Sequence, residues 1–453
     1  DARDVAVLAL RDRSGNVTAH LDRLVRGSSL APPDRRFARE LALGAVRRKG
    51  TLEAVLRAFL AHPERRLPSP LTEILHVALY QMLFLERVPT FAAVDEAVRQ
   101  ASRLHHKRQR GLVNGVLRTA ARSIREPTEG PPPLRADVVF VSPRSYRLIG
   151  RNVFPDPAGD PAGYLAQAMS LPEALARRWV ERFGGLERAM EVAAHACTRV
   201  PMILRVNRLK GDAAGAVKAL EAEGVAAQPH ANGLSVVLER PANPTRLAAF
   251  EAGLLQVQDA TATDVCIWAA PAPGMRVLDF CAAPGTKTTH LAELMDNAGS
   301  IVALDVSEDK LRRIEDNCRR MGISIVTAML AEQAGSLEAA SFDLVLVDVP
   351  CSNTGVLARR AEARWRFDEA SLAKLAADQR SIVNLAAEFV RPGGRLVYST
   401  CSIEPEENQQ VIRSATGRSG KLELLSEHPT PPAGADEPTR WRDGGYTAIC
   451  RRR

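Results

Sequence analysis

Two cysteines stand where a chain would place reactive groups. The stretch VDVPCSNTG, Val347–Gly355, follows the apolar run FDLVLV and sets Asp348, Pro350 and Cys351 at and just past its end. Fifty residues on, the run GRLVYST leads into Cys401 in YSTCSIEPEEN. A thiol in such a place can be a nucleophile, a ligand or a small buried hydrophobe. One alone reads as buried filling. Two thiols at the ends of neighbouring apolar runs, with the acid Asp348 beside one of them, read as chemistry. The seven cysteines fall at 197, 266, 281, 318, 351, 401 and 450, an odd number without a CxxC pair. That pattern argues against a disulfide framework and a metal site, and for a reducing, cytoplasmic setting. Cys281 reads as a small spacer on a tight turn; Cys197, Cys266, Cys318 and Cys450 read as structural.

That tight turn is DFCAAPGTKTT. Its small residues, Cys281, Ala282, Ala283, Pro284 and Gly285, let backbone approach a ligand before a helix begins at Thr286 or Lys287. A P-loop requires G-x-x-x-x-G-K-[ST], and here Phe280 and Thr286 occupy the glycine places. GxGxxG fails as well. Asp305 follows the next apolar run, twenty positions beyond Gly285. A doubly wound sheet puts an acid there to bond ribose hydroxyls. The ligand expected at this turn therefore carries a ribose and an adenine.

The elements that must position these residues alternate. MRVLDF, SIVALD, SIVTAM, FDLVLVD and GRLVYST are short apolar runs. Helical stretches such as TKTTHLAELM, SEDKLRRIEDNCRRMG and SLAKLAADQRSIVNLAAEFV separate them. Continuous apolar strands between helices mean a parallel sheet covered on both faces. Ligands bind beyond the carboxyl ends of such strands, where the residues above lie. The organisation expected is multidomain α/β. Residues 1–125 form an all-α bundle, in which LTEILHVALYQMLFLERV places Leu71, Ile74, Leu75, Ala78, Leu79, Met82 and Leu83 on one stripe. Asp34 is expected to cap a helix and Gly50 to stop it. Residues 126–163, with EPTEGPPP and FPDPAGDPAG, read as a linker, and ADVVFVSPRSYRLIGRNVF between those runs as a short strand or docked arm within it. Residues 164–255 read as a small α+β unit containing the strands PMILRVN, GLSVVLE and GLLQVQD, and residues 256–453 as the catalytic domain.

Charge adds a partner. Of the net +8, residues 1–125 hold 23 Lys+Arg and 12 Asp+Glu, or +11, and the rest holds 38 and 41, or −3. A basic front beside a nearly neutral back suits a polyanion, most simply nucleic acid. The pair His105 and His106 in LHHKRQR reads as surface. No apolar run approaches the ~18 residues of a membrane span, and DARDVAVLALRDRSG lacks the plan of a signal peptide.

These motifs resemble the RNA cytosine-5 methyltransferases, specifically the bacterial 16S ribosomal RNA enzymes of the RsmB/Sun/Fmu family. DFCAAPGTKTTHLAE resembles the family's S-adenosylmethionine turn, DVPCSNTGVLARR with ARWR its fourth motif, YSTCSIEPEENQQVI its sixth, and VQDATAT the lead-in. ILHVALYQMLFLERVPTFAAVDEAV and GLVNGVLR are similar to its NusB-like RNA-binding bundle. The resemblance covers nearly the whole chain. It implies a NusB-like bundle, a small α+β RNA-binding domain and a Rossmann-like methyltransferase domain. It implies S-adenosylmethionine held by residues 281–287, Asp305 and Asp348. The family's third motif offers an Asp to the adenine, and AMLAEQ offers Glu332 there. A second Gly is commoner at the place of Thr286, and the segment around 130–162 is longer than in the family. Cys401 is implied as the nucleophile, Cys351 as the group that releases product, and Asp348 as the contact to the N3/N4 edge of cytosine. Lys287 is implied to lie near cofactor or substrate. Residue chemistry alone leaves open which thiol attacks. The implied substrate is 16S rRNA before full subunit assembly, and the implied state is a monomer without metal or membrane. Two other readings are an RNA-binding antitermination factor with an inactive methyltransferase domain, and a cytosine-5 enzyme for tRNA or another rRNA site.

Overall fold

The apolar stripe from Leu71 to Leu83 lies on a helix, Leu71–Phe84, but the helix is apolar nearly all round. Every side chain from Ile74 to Leu83 is buried, so this is the central helix of a bundle and not a surface one. The computed structural model describes residues 1–12, 16–64, 66–104, 107–418 and 420–453. The expected surface pair His105 and His106 lies outside the described residues. The chain forms two units: Asp1–Arg199 with Leu357–Asp368, and Val200–Val356 with Glu369–Arg453.

In the first unit, helices Ala2–Leu10, Val17–Arg26, Pro32–Arg47, Lys49–Phe59, Thr90–Arg103 and Arg110–Ser123 surround Leu71–Phe84. Two expected helix signals act differently. Ala31 occupies the N-cap of Pro32–Arg47, and Asp34 lies in its first turn, where a negative charge favours the helix dipole. Gly50 does not stop a helix. It sits inside Lys49–Phe59, where a Cβ would come within 2.9 Å of Ser170 Cα and 3.0 Å of Ala166 O. Close helix approach, not termination, is what requires that glycine.

The segment 126–163 is not a free linker. Ile124–Glu129, Val138–Ser142 and Ser145–Ile149 form an antiparallel sheet with Ser145–Ile149 in the middle. Val139, Ile149, Val153 and Phe154 join the core of the bundle. Pro127 lies within the edge strand Ile124–Glu129, beside a register shift, where a missing ladder donor is tolerated; the other prolines of the segment fall outside the strands. Helices Pro161–Ala168, Glu173–Arg182 and Leu186–Cys197 belong to the same unit, so contacts do not set 164–255 apart as one body.

Residues 357–368 also belong to this unit, although they follow Cys351 directly in sequence. Their anchor is Arg364, which is fully buried. It donates to the carbonyls of Ala361, Arg47, Met169, Ser170, Ala196 and Leu357 at 2.7–3.3 Å. Replacing it strands several buried acceptors, each costing about 1–3 kcal/mol. We expect Arg364→Leu to destabilise the chain by roughly 3–5 kcal/mol, read from its urea midpoint, with Arg364→Lys recovering only part.

The second unit contains a small sheet and a large one. Ala227–Pro229, Ser235–Leu238, Met202–Val206 and Leu255–Val257 pair in that order, with helix Ala213–Ala222 packed on them. The large sheet has seven strands: β1 (Arg276–Asp279), β2 (Ser300–Asp305), β3 (Val326–Leu330), β4 (Phe342–Asp348), β5 (Val390–Thr400), β6 (Leu422–Thr430) and β7 (Gly445–Arg452). Their order is β3-β2-β1-β4-β5-β7-β6. Strands β1 to β5 are parallel, as expected, whereas β7 pairs antiparallel with β5 and β6 with β7. The strand β6 was not legible because LELLSEHPT mixes apolar and charged residues, as half-exposed edge strands do. The order reverses at β1, so the crevice beyond β1 and β4 is the switch point where a ligand fits. Among the described residues no helix is long and apolar enough to cross a membrane.

Candidate active site

Each expected site residue ends or follows a strand of the large sheet. After β1 the chain turns through Phe280–Gly285 into helix α1 (Thr286–Leu294). Gly285 has φ +91°, and a Cβ there would lie 3.1 Å from Ile314 Cα. Both facts require glycine. The turn is pinned to its neighbours: Ala282 N–H donates to Leu304 O at 2.9 Å, Asn317 Nδ2 to Pro284 O at 2.9 Å, and Ala283 N–H to Asp305 Oδ2 at 2.9 Å. Cys281 is partly buried against apolar residues, and burial pushes its thiol up to about 12. It is therefore a neutral spacer at physiological pH.

Asp305 ends β2. Its Oδ1 accepts from Val306 N–H at 2.7 Å and pairs with Lys310 at 2.8 Å. Burial pushes its carboxyl up, but the bonds from Lys310, Val306 and Ala283 prevail and hold it below its ordinary range. An ionised acceptor thus sits beside the turn. Glu332 lies just past β3, whose Leu330 is paired with Asp305, and it is exposed.

After β4 and β5 the two thiols meet. Asp348 is paired with Ser399 across the strands. Cys351 Sγ lies 3.0 Å from Cys401 Sγ. Gly355 explains how the two loops come so close: its N–H donates to Cys401 O at 3.0 Å, and a Cβ would stand 2.3 Å from Gly444 O. Hydrogen bonding to Cys401, then burial, then the nearby charges of Cys401 and Glu407 push the Cys351 thiol well above its ordinary range. Cys401 is the more exposed of the two. Its Sγ lies 3.3 Å from Asn353 Oδ1, and Asn353 Nδ2 donates to Cys351 O at 2.7 Å. Asn353 has φ +64°, a left-handed conformation that Asn tolerates.

Asp348 accepts from Lys287 at 2.6 Å and from Ser399 Oγ at 2.5 Å. Burial lowers the Lys287 ammonium, but Asp348 outweighs it, so the ammonium is raised above its ordinary range and stays charged. The structure therefore brings Lys287, Asp348, Cys351 and Cys401 into one cluster. It places Asp305 and the 281–286 turn on the adjoining strand ends.

Some site residues had no voice in the sequence reading. Asp279, the last residue of β1, is buried; its Oδ2 accepts from Thr288 Oγ1 at 2.7 Å, and its Oδ1 has no partner. Burial, with the charges of Asp348 and Asp305, pushes its carboxyl up to about 7 despite Thr288 and Lys287. The rule that singled out Asp305 and Asp348, an acid at a strand end, would have found it. Arg205, in the small sheet, is also fully buried. It pairs with Glu293, bonds Gln258, and donates to Thr286 O at 2.8 Å, tying the small sheet to the start of α1. Nothing in PMILRVN marks that arginine as internal.

Three family models match. Residues 1–122 match the NusB family, 171–244 the ferredoxin-like domain of RsmF/B-like methyltransferases, and 266–438 the 16S rRNA methyltransferase RsmB/F. The ribosomal RNA small subunit methyltransferase B of Salmonella paratyphi B is 33% identical over 408 residues, covering 89% of this chain and 86% of the relative. The crystal structure of PH0851 superposes with a TM-score of 0.73 at 24% identity, covering 99% and 98% of the two chains. A methyltransferase homolog protein from Pyrococcus horikoshii superposes at 0.53 with 29% identity, covering 64% of this chain and 98% of the other.

Proposed function

This chain belongs to the 16S rRNA methyltransferase RsmB/F family, and from that premise we propose that it methylates carbon 5 of a cytosine in 16S rRNA through a covalent cysteine adduct. It is an S-adenosylmethionine-dependent ribosomal RNA methyltransferase with a NusB domain, a ferredoxin-like domain and a Rossmann-like catalytic domain. The observation that carries the finer reading is the pair of thiols 3.0 Å apart beside the Lys287–Asp348 ion pair.

The residues at the turn fit the cofactor. Asp279 Oδ1 is a buried acceptor without a donor, a state that a ligand's ammonium relieves. Asp305 offers carboxylate lone pairs to a ribose diol. When bound, S-adenosylmethionine supplies an electrophilic methyl group on sulfonium sulfur. Asp279, Asp305 and the 281–286 backbone would hold it, at the ends of β1 and β2.

Carbon 5 of cytosine is a weak nucleophile. Addition of the Cys401 thiolate at carbon 6 makes carbon 5 an enamine carbon, which can attack. Addition pushes negative charge onto N3, which takes up a proton from solvent; Asp348 accepts from the N3–H and N4–H edge and balances the positive charge that methyl transfer then leaves on the ring. After methyl transfer carbon 5 carries both the methyl and its original proton. Once Cys401 is bound to carbon 6 it no longer takes the Cys351 hydrogen bond or sets charge beside it, so Cys351 can give its own proton to solvent. The Cys351 thiolate then removes the C5 proton, the C5–C6 double bond re-forms as the Cys401 thiolate leaves, and N3 gives up the proton it gained. The target base must be unstacked to enter, so a loop or an accessible strand is the substrate. The net +11 of residues 1–125 supports backbone binding that weakens with salt.

Transfer of tritiated methyl to undermethylated 16S rRNA, followed by digestion to nucleosides, tests the reading. Label in 5-methylcytidine at a single site supports it. Label in another nucleoside, or in tRNA alone, refutes it.

A further inference from the structure

The peptide groups on both sides of Cys351 are held by one buried pair of side chains. Glu407 is fully buried. Its carboxylate accepts from Ser352 N–H at 2.8 Å, from Ser352 Oγ at 2.5 Å and from Gln379 Nε2 at 2.9 Å. The same Gln379 nitrogen donates to Pro350 O at 2.9 Å. Pro350 and Ser352 flank Cys351, so the carboxylate and the carboxamide grip its main chain from before and after. The clamp is itself braced. Tyr398 O–H donates to Glu407 O at 2.5 Å, and Gln379 lies on a helix, Glu369–Ala387, packed beside β4 and β5. All three donors to the carboxylate are neutral groups. Burying a carboxylate on neutral donors is costly unless each bond is well made, which gives the clamp one geometry and little slack.

We propose that Glu407, acting through Gln379, is a positioning residue for Cys351 and so governs release of the methylated base and not attack on it. This rests on the reading above, in which Cys401 attacks and Cys351 removes the C5 proton. Glu407 also raises the Cys351 thiol, after the larger effects of Cys401 and burial, which makes its thiolate the stronger base for the C5 proton. Proton removal is sensitive to placement, and a displacement of about 1 Å costs on the order of 10²-fold in rate. Cys401 lies on the neighbouring loop, which is tied to the Cys351 loop further on, at Gly355 through Cys401 O and at Thr354 through Ile403 N–H, by bonds that do not involve Glu407 or Gln379.

The test uses the full chain and 16S rRNA, and reads two quantities: turnover, and protein–RNA complex that survives denaturing gel electrophoresis. Glu407→Ala is expected to lower turnover about 10²-fold while denaturation-stable complex accumulates as it does in Cys351→Ala. Glu407→Gln, which keeps an acceptor for Ser352 N–H, recovers part of the turnover. Gln379→Met, which removes the hold on Pro350 and one donor to Glu407 but leaves both Ser352 bonds, shows the same pattern more weakly and carries the test if Glu407→Ala does not fold. Complex and turnover falling together in the Glu407 and Gln379 variants, or neither changing, overturns the proposal. Failure of the parent reading looks different: Cys351→Ala itself then gives no complex.

Discussion

Cys401→Ala forms no denaturation-stable complex with 16S rRNA and loses turnover by a factor on the order of 10⁴ or more. Cys351→Ala also loses turnover, but it accumulates the complex. The two outcomes differ because the thiols act on opposite sides of methyl transfer. Without Cys401 carbon 6 has no nucleophile, so carbon 5 never becomes an enamine carbon. Without Cys351 the adduct forms and the methyl transfers, but the C5 proton stays and elimination stalls. The structure makes this a severe test. The sulfurs are 3.0 Å apart, so proximity gives neither the better claim to carbon 6. Their surroundings differ. Cys351 is buried, and its thiol is pushed well above the ordinary range, first by the hydrogen bond with Cys401 and then by burial. A thiol held protonated is a poor nucleophile, and Cys401 is the more exposed. Complex from Cys401→Ala and none from Cys351→Ala would reverse the roles.

Asp348→Asn keeps cofactor affinity within a few-fold and loses turnover by about 10²–10⁴-fold, the range of a positioned acid–base group. The substitution preserves shape and one acceptor. It removes the charge that faces Lys287 at 2.6 Å and that balances the cation developing on the base. The ammonium, only 15% exposed, is left without its partner and repels that developing charge. Calorimetric titration with S-adenosylhomocysteine reports the affinity, and methyl transfer under saturating RNA reports turnover. Unchanged turnover would remove Asp348 from the chemistry. A parallel collapse of cofactor affinity would make it a cofactor ligand first.

The expected parts of the fold share a local origin. Buried parallel strands are apolar throughout, and the residue after each one is where a ligand sits. The strands β1 to β5, Gly285, Asp305, Asp348 and both thiols were therefore legible from short windows of sequence. The basic front was legible too, because charge is a sum that needs no coordinates. Elements that failed the same reading are those whose pattern is ambiguous within a window. Prolines in 126–163 mimic a linker while the strands around them fill the core of the first unit, and Gly50 mimics a stop although close helix approach requires it.

What only the tertiary structure decided are the contacts between residues far apart in the chain. Cys351 and Cys401 are fifty residues apart, and nothing local brings their sulfurs to 3.0 Å; the parallel register of Asp348 against Ser399 does. In EPEEN, Glu407 is one of three acids and nothing local singles it out, yet it is fully buried and holds the main chain beside Cys351. The residues just past Gly355 read as one catalytic motif, yet Leu357–Asp368 belongs to the other unit through Arg364. The physical reason is common to all three. Burial and hydrogen bonding are properties of a neighbourhood, and a chain's neighbours are set by which strands pair, a choice made by the whole sheet at once.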